Sequence, residues 1–280
     1  MNIKLNFPPS VSGLDIPNVQ NSEDLGISEK SAEVLLSVRG LVKRYGGLIV
    51  TNHVDLDLRA GEIHALLGPN GAGKTSFLAQ LTGEVEPNAG RIEFEGLEIT
   101  HLPPYKRAQL GIGRSFQITS IFQELSVLEN VQLAVQVHAG HSFSFWRPAA
   151  GQKSLESPAL CLLEKVGLAF AAMQPASHLS HGQHRQLEIA IALAGQPRLL
   201  LLDEPMAGMG VEDTLKLTEM LLEMKGSVTM LLVEHDMDAV FKLADRITVL
   251  VYGQCIATGS PEEIRNNPEV RRAYLGEEKF

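Results

Sequence analysis

Gly68-Pro69-Asn70-Gly71-Ala72-Gly73-Lys74-Thr75 reads G-x-x-x-x-G-K-[ST], and the residues on either side give that pattern its meaning. Ile63 to Leu67 (I-H-A-L-L) reads as a short buried strand, and Ser76 to Leu81 as the opening of a helix. That is the strand–loop–helix setting in which such a loop cradles phosphates. Backbone has to approach several negative charges closely. Gly68, Gly71 and Gly73 lack a Cβ, so the chain can curl with its N–H groups turned inward. The helix that follows aims the positive end of its dipole at the same point. Lys74 adds a full positive charge for the outer phosphates, and the Thr75 hydroxyl is of the kind that holds Mg2+ there.

The chain has 280 residues, 44% of them hydrophobic, enough for one large domain or two small ones. A net charge of −9 with only 5% aromatic residues argues against a dedicated nucleic-acid binder. Cys161 and Cys255 lie far apart, in no metal-like spacing, and are expected to be reduced thiols in the cytosol. The opening M-N-I-K-L-N-F-P-P-S lacks an apolar core of signal-peptide length. No apolar run approaches the roughly 20 residues of a membrane span. Work at a membrane would therefore go through a partner.

Residues 1–34 read as an extension. Pro8, Pro9, Pro17 and scattered Asn, Ser and acidic residues cannot bury enough to order themselves, so a mobile tail is expected, with partner docking as the alternative. From Val34 the pattern changes. Val34 to Leu41 reads as a strand and Lys43 to Gly47 as a turn. Val54-Asp55-Leu56-Asp57-Leu58 and Arg91 to Glu95 read as alternating strands. Tyr45, in the turn, either stacks on a purine ring or packs locally. From Gln117 to about His178, apolar residues recur at helical spacing (Ile121, Leu125, Leu128, Val131). His138 to Gln152 interrupts this, with Phe143, Phe145 and Trp146 forming either a contact site or a loop packed on itself.

Leu179-Ser180-His181-Gly182-Gln183 carries a capping-box spacing, Ser180 with Gln183, so a helix starts here. Its body, Leu187 to Leu193, should be buried. The start is either ordinary or a second phosphate contact. Leu199-Leu200-Leu201-Leu202 reads as a strand buried on both faces, as in a parallel sheet. Such sheets hold ligands at the strands' carboxyl ends, where Asp203 and Glu204 fall. Asp203 would hold Mg2+, and Glu204 would polarise a water for attack on the γ-phosphate. The bland alternative is two acids ending a strand. Ser227 to Val233 is another buried strand, and it brings His235 to the same edge. Tyr252-Gly253-Gln254 marks a hairpin, and Ser260-Pro261 and Asn267-Pro268 open two short helices.

With the phosphate loop, Gln117, L-S-H-G-Q, L-L-L-L-D-E-P and E-H-D in this order, the chain resembles an ABC-type ATPase subunit from about Leu35 to Gly276. The resemblance implies an α/β fold: a P-loop NTPase core with a mainly parallel sheet, an antiparallel β subdomain and a helical subdomain at about residues 118–178, all within 35–280. It implies a head-to-tail dimer holding two ATP molecules, with Mg2+. Tyr45 would stack on adenine. Gly68, Pro69, Asn70, Gly71, Ala72, Gly73, Lys74, Thr75 and Ser76 would bind the phosphates. Ser180, Gly182 and Gln183 would contact the ATP of the other subunit. Thr75, Gln117 and Asp203 would serve the metal, Glu204 would be the general base, His235 the switch histidine, and Gln117 would also sense the attacking water.

G-R-S-F-Q-I-T-S-I-F, V-L-E-N-V, V-E-H-D-M-D-A-V and I-R-N-N-P-E-V-R-R-A-Y-L-G are similar to importer ATPases for branched-chain and other hydrophobic amino acids, with urea and amide importers close by. The implied partners are a second ATP-binding subunit, the same or related, two integral membrane permease subunits and an extracytoplasmic solute-binding protein. No nucleic acid is implied, and the implied location is peripheral, at the cytoplasmic face of the inner membrane. Two departures stand out. His181 replaces the usual signature glycine, and Gly210 stands where many members carry Asp or Asn. An exporter ATPase, a soluble ABC ATPase that remodels a macromolecule, and a regulator without turnover are the other readings.

Overall fold

The computed structural model describes residues 33–115, 121–138 and 153–275. The tail to residue 32, Gln117 and the aromatic interruption with Phe143, Phe145 and Trp146 fall outside them.

Strands β1 (Val34–Tyr45) and β2 (Leu48–Arg59) form a hairpin, β3 (Ile63–Leu67) begins a second sheet, and α1 (Lys74–Thr82) follows the glycine loop. β4 (Ala89–Phe94) and β5 (Leu97–Glu98) complete an antiparallel sheet in the order β2-β1-β4-β5. The Lys43–Gly47 turn is shorter than its sequence suggests. Tyr45 is still in β1 and pairs with Leu48, because Gly46 at φ 59 reverses the chain in two residues.

The remaining elements are α2 (Pro104–Gln109), β6 (Ile112–Arg114), α3 (Val127–His138), α4 (Lys153–Lys165), α5 (His181–Ala194), β7 (Leu199–Asp203), α6 (Val211–Met224) and β8 (Thr229–Val233). After them come α7 (Met237–Leu243), β9 (Arg246–Val251), β10 (Gln254–Gly259), α8 (Pro261–Asn266) and α9 (Pro268–Leu275). The second sheet runs β10-β9-β3-β8-β7-β6. It is parallel except for β10, which returns on β9 through Tyr252 and Gly253, both at positive φ.

The leucine run shows how the layers assemble. Successive strand residues face opposite ways. Leu199 and Leu201 pack with β1, β2, β4 and α1 on one side, while Leu200 and Leu202 join α5, α6 and α7 on the other. All four are fully buried. At about 1.5–3 kcal/mol per buried aliphatic side chain, this strand is a main anchor of both layers.

The region after residue 120 is helical later than the apolar spacing suggests. Ile121 and Leu125 precede α3. The reason is a second capping box: the Glu129 N–H donates to Ser126 Oγ (3.1 Å) and the Ser126 N–H to Glu129 Oε2 (2.8 Å), which fixes the start at Val127. α3 and α4 pack on each other and on α5 through Leu128, Val131, Leu163 and Leu187. At the far end of α1, the buried Arg107 guanidinium donates to the carbonyls of Gln80, Leu81, Thr100 and Leu102 at 2.7–2.9 Å. It offsets the negative end of the helix dipole, and burial lowers its pKa to about 10. Among the described residues no helix is long and apolar enough to cross a membrane.

Candidate functional site

Register places the site. Leu66 of β3 and Asp203 of β7 both pair with Val233 of β8, so the three strands end level. The glycine loop, Asp203-Glu204 and Glu234-His235 therefore leave the sheet at one carboxyl edge, where parallel sheets bind ligands.

The glycines of the loop answer to their surroundings. A Cβ on Gly68 would run into the carbonyl oxygen of Leu250, and one on Gly73 into that of Val50; Gly73 also sits at φ 103. Gly71 meets nothing but needs φ 79. The Ala72 carbonyl accepts from the Gly253 N–H at 2.9 Å, tying the loop to the β9–β10 turn. Lys74 Nζ lies inside the curl and donates to the carbonyls of Gly68 (2.6 Å) and Pro69 (3.1 Å). Burial pushes its pKa down, while Glu204, Asp203 and Glu234 pull it back up. Thr75 is exposed in the first turn of α1.

Asp203 is 1% exposed. Its Oδ2 accepts from Arg114 Nη2 at 3.3 Å, and its Oδ1 has no partner among the described residues. Burial raises its pKa against the pull of Arg114. Glu204 is half-buried and adopts φ 46, a left-handed conformation that non-glycine residues rarely hold without support from their surroundings. The support is local. The Glu204 N–H donates to the Val233 carbonyl (2.9 Å), and the Glu204 carbonyl accepts from Ala207 (3.1 Å). His235 is 59% exposed at the end of β8.

Sequence reading gave Glu234 no role, yet it is fully buried and braces the edge. Its carboxylate accepts from the N–H groups of Met206 (2.8 Å) and His235 (3.2 Å), and burial raises its pKa. It joins the turn after Glu204 to the segment carrying His235. The available signal was an acid ending an otherwise apolar strand, which asks for a reason.

Ser180, Gly182 and Gln183 lie elsewhere, at the start of α5, and make no hydrogen bond to the glycine loop among the described residues. The capping box is present: the Gln183 N–H donates to Ser180 Oγ (3.3 Å), and the Ser180 N–H to Gln183 Oε1 (2.8 Å). Gly182 is buried, with Asp213 of α6 2.8 Å from where a Cβ would stand. His181 Nε2 is 3.2 Å from the Ala207 carbonyl oxygen, so the start of α5 is tied to the turn after Glu204. Gly210 precedes α6 without a side-chain cap, and open space surrounds it. Tyr45 is 51% exposed, with Lys43 Nζ 5.1 Å from its ring centroid.

The edge thus gathers one lysine within a ring of backbone groups, a buried acid with an oxygen unpartnered among the described residues and a half-buried second acid. A buried carboxylate oxygen without a partner is costly unless a cation or its water completes it, so this donor set fits a hard divalent cation.

The family model described as "ABC transporter" matches residues 51–207, and one for the branched-chain amino acid ATP-binding cassette transporter matches residues 254–279. The high-affinity branched-chain amino acid transport ATP-binding protein LivG of Salmonella typhimurium is 42% identical over 253 residues, covering 88% of this chain and 99% of that protein. BraF of Pseudomonas aeruginosa, described in the same words, is 40% identical over 250 residues, 87% and 98% of the two chains. Among solved structures, the ADP conformation of an ATP-binding cassette of an ABC transporter superposes with a TM-score of 0.78 at 28% identity, covering 88% of this chain and all of the other.

Proposed function

The chain belongs to the ABC transporter ATP-binding family, and on that premise we propose that it is the ATP-hydrolysing subunit of an importer for branched-chain amino acids. The observation that carries this reading is the level ending of β3, β7 and β8, which sets Lys74, Asp203, Glu204 and His235 on one edge.

In this reading residues Gly68 to Ser76 hold the phosphates, with Lys74 turning from the loop carbonyls to the outer phosphate oxygens. Tyr45 stacks on the adenine. Magnesium, held by Thr75, Gln117 and Asp203, neutralises charge on the phosphate oxygens when bound. Glu204 accepts the proton of the attacking water as the oxygen adds to the γ-phosphorus and the bond to ADP breaks. His235 contacts the γ-phosphate from the neighbouring strand end. Ser180, Gly182 and Gln183 serve the ATP of a second ATP-binding subunit, and the His181–Ala207 tether carries that contact to the turn after Glu204. Closure on ATP and reopening after hydrolysis supply the motion.

Two integral membrane permease subunits and an extracytoplasmic solute-binding protein complete the complex, with this chain peripheral on the cytoplasmic face. The helices α3 and α4 face the permease.

The test is capture of the tagged chain from its native membranes in mild detergent, followed by leucine uptake into proteoliposomes made from what is captured. ATP-dependent uptake that E204Q abolishes is the expected result. Uptake of urea or an amide instead would move the solute class. Capture of soluble ribosomal or DNA-bound proteins alone would overturn the transport reading.

A further inference from the structure

A cavity of about 420 Å³ opens between α2, β6, α3 and α5, away from the glycine loop. Tyr105, Ile112, Val137 and Ile191 give it apolar walls, and Glu84 and Arg114 line it as well. Arg114 reaches further. Its Nη1 donates to Glu84 Oε2 at 2.7 Å, and its Nη2 to Asp203 Oδ2 at 3.3 Å. The arginine side chain is 9% exposed and Asp203 1%, while Glu84 is 40% exposed. One guanidinium thus spans from the cavity lining to the buried acid at the sheet edge.

The geometry suits arginine. A planar fork reaches two carboxylates through two different nitrogens, whereas a lysine has one nitrogen that would have to lie close to both. The split on Asp203 is also specific: Oδ2 is held and Oδ1 is left without a partner among the described residues. A carboxylate held by one oxygen presents the other in a fixed direction.

We propose that Arg114 is a positioning residue for Asp203, fixing the carboxylate so that Oδ1 faces the metal of the bound nucleotide, and that Glu84 anchors Arg114 from the cavity side. The inference rests on the proposed role of Asp203 toward the metal. Partners that orient a ligating group typically contribute 10–100-fold to metal affinity.

The test is Mn2+ binding to the full chain in the presence of ADP, followed by electron paramagnetic resonance, with ADP affinity measured separately with and without the metal. R114Q should weaken Mn2+ binding at least tenfold and leave metal-free ADP affinity unchanged. R114K, which keeps the charge but lacks the fork that holds Glu84 and Asp203 together, should recover only part of the loss. E84Q should show a smaller loss in the same direction. D203N is the reference for complete loss. Wild-type Mn2+ affinity in R114Q, or tighter binding, would overturn the proposal while D203N still upheld the role of Asp203. Unchanged binding in E84Q would overturn the link to the cavity. No metal dependence in the wild type, or none lost in D203N, would remove the reading beneath it.

Discussion

At the start of α5, Ser180 and Gln183 bond each other's backbone and ask for nothing outside the chain. At the carboxyl edge of the six-stranded sheet, Asp203 keeps a buried oxygen without a partner among the described residues, and Glu204 holds φ 46. Both regions are proposed to meet phosphate, yet one is complete in a single chain and the other is held in an unfavourable state by its neighbours. Strain and unpaired charge gather where a ligand relieves them. A capped helix start can be presented to another molecule without disturbing its own fold. The edge should therefore respond strongly to ligands and substitutions, and α5 weakly.

The largest expected effect is on turnover. E204Q should bind ATP normally and hydrolyse it 10²–10⁴-fold more slowly, as loss of a general base does; near-normal single-turnover rates would remove Glu204 from that role. Next comes the loop itself. G73A places a methyl group against the Val50 carbonyl at φ 103, and should reduce stability by roughly 2–5 kcal/mol in denaturant unfolding. A loss under 1 kcal/mol would show that the loop yields more readily than its packing implies.

On the other side of the comparison, S180A removes one cap and should cost about 1 kcal/mol, read as a drop of roughly 2–4 °C in the melting midpoint. A drop of 10 °C would mean the start of α5 is not self-sufficient. The smallest effect has the opposite sign. Burial raises the pKa of Asp203, so its charge at neutral pH opposes folding. D203N should raise the midpoint of the nucleotide-free chain by about 2 °C at pH 7. The gap should narrow as the pH falls, because native Asp203 takes up its proton before the unfolded chain does and the wild type recovers what its charge withheld. A widening gap would contradict the sign.

The glycine loop, the leucine strand and the histidine edge were legible in sequence because each rests on local rules: glycine where backbone crowds, four apolar residues where both faces are covered, acids where the strand ends. The start of α3 was missed although Ser126 and Glu129 carry the same capping spacing as Ser180 and Gln183, because the apolar period at Ile121 and Leu125 hid it. Arg107 and Glu234 were illegible for another reason. The partners that allow their burial, the carbonyls at the end of α1 and the N–H of Met206, come from other elements of the fold. Tyr45 was placed in a turn because Gly46-Gly47 follows, and only the pairing with Leu48 shows how tight that reversal is.

His181 bears on how this chain can be re-engineered or can diverge. Its imidazole meets the Ala207 carbonyl and lies 3.4 Å from where a Cβ on Gly208 would stand, and Gly208 sits at φ 73. The two stretches are therefore in direct contact. Transplanting a glycine-type signature from a relative would delete the tether, and enlarging residue 208 would strain the backbone and bring a Cβ into van der Waals contact with the ring. A chimera that exchanges 180–183 and 207–208 together keeps each stretch with its own partner.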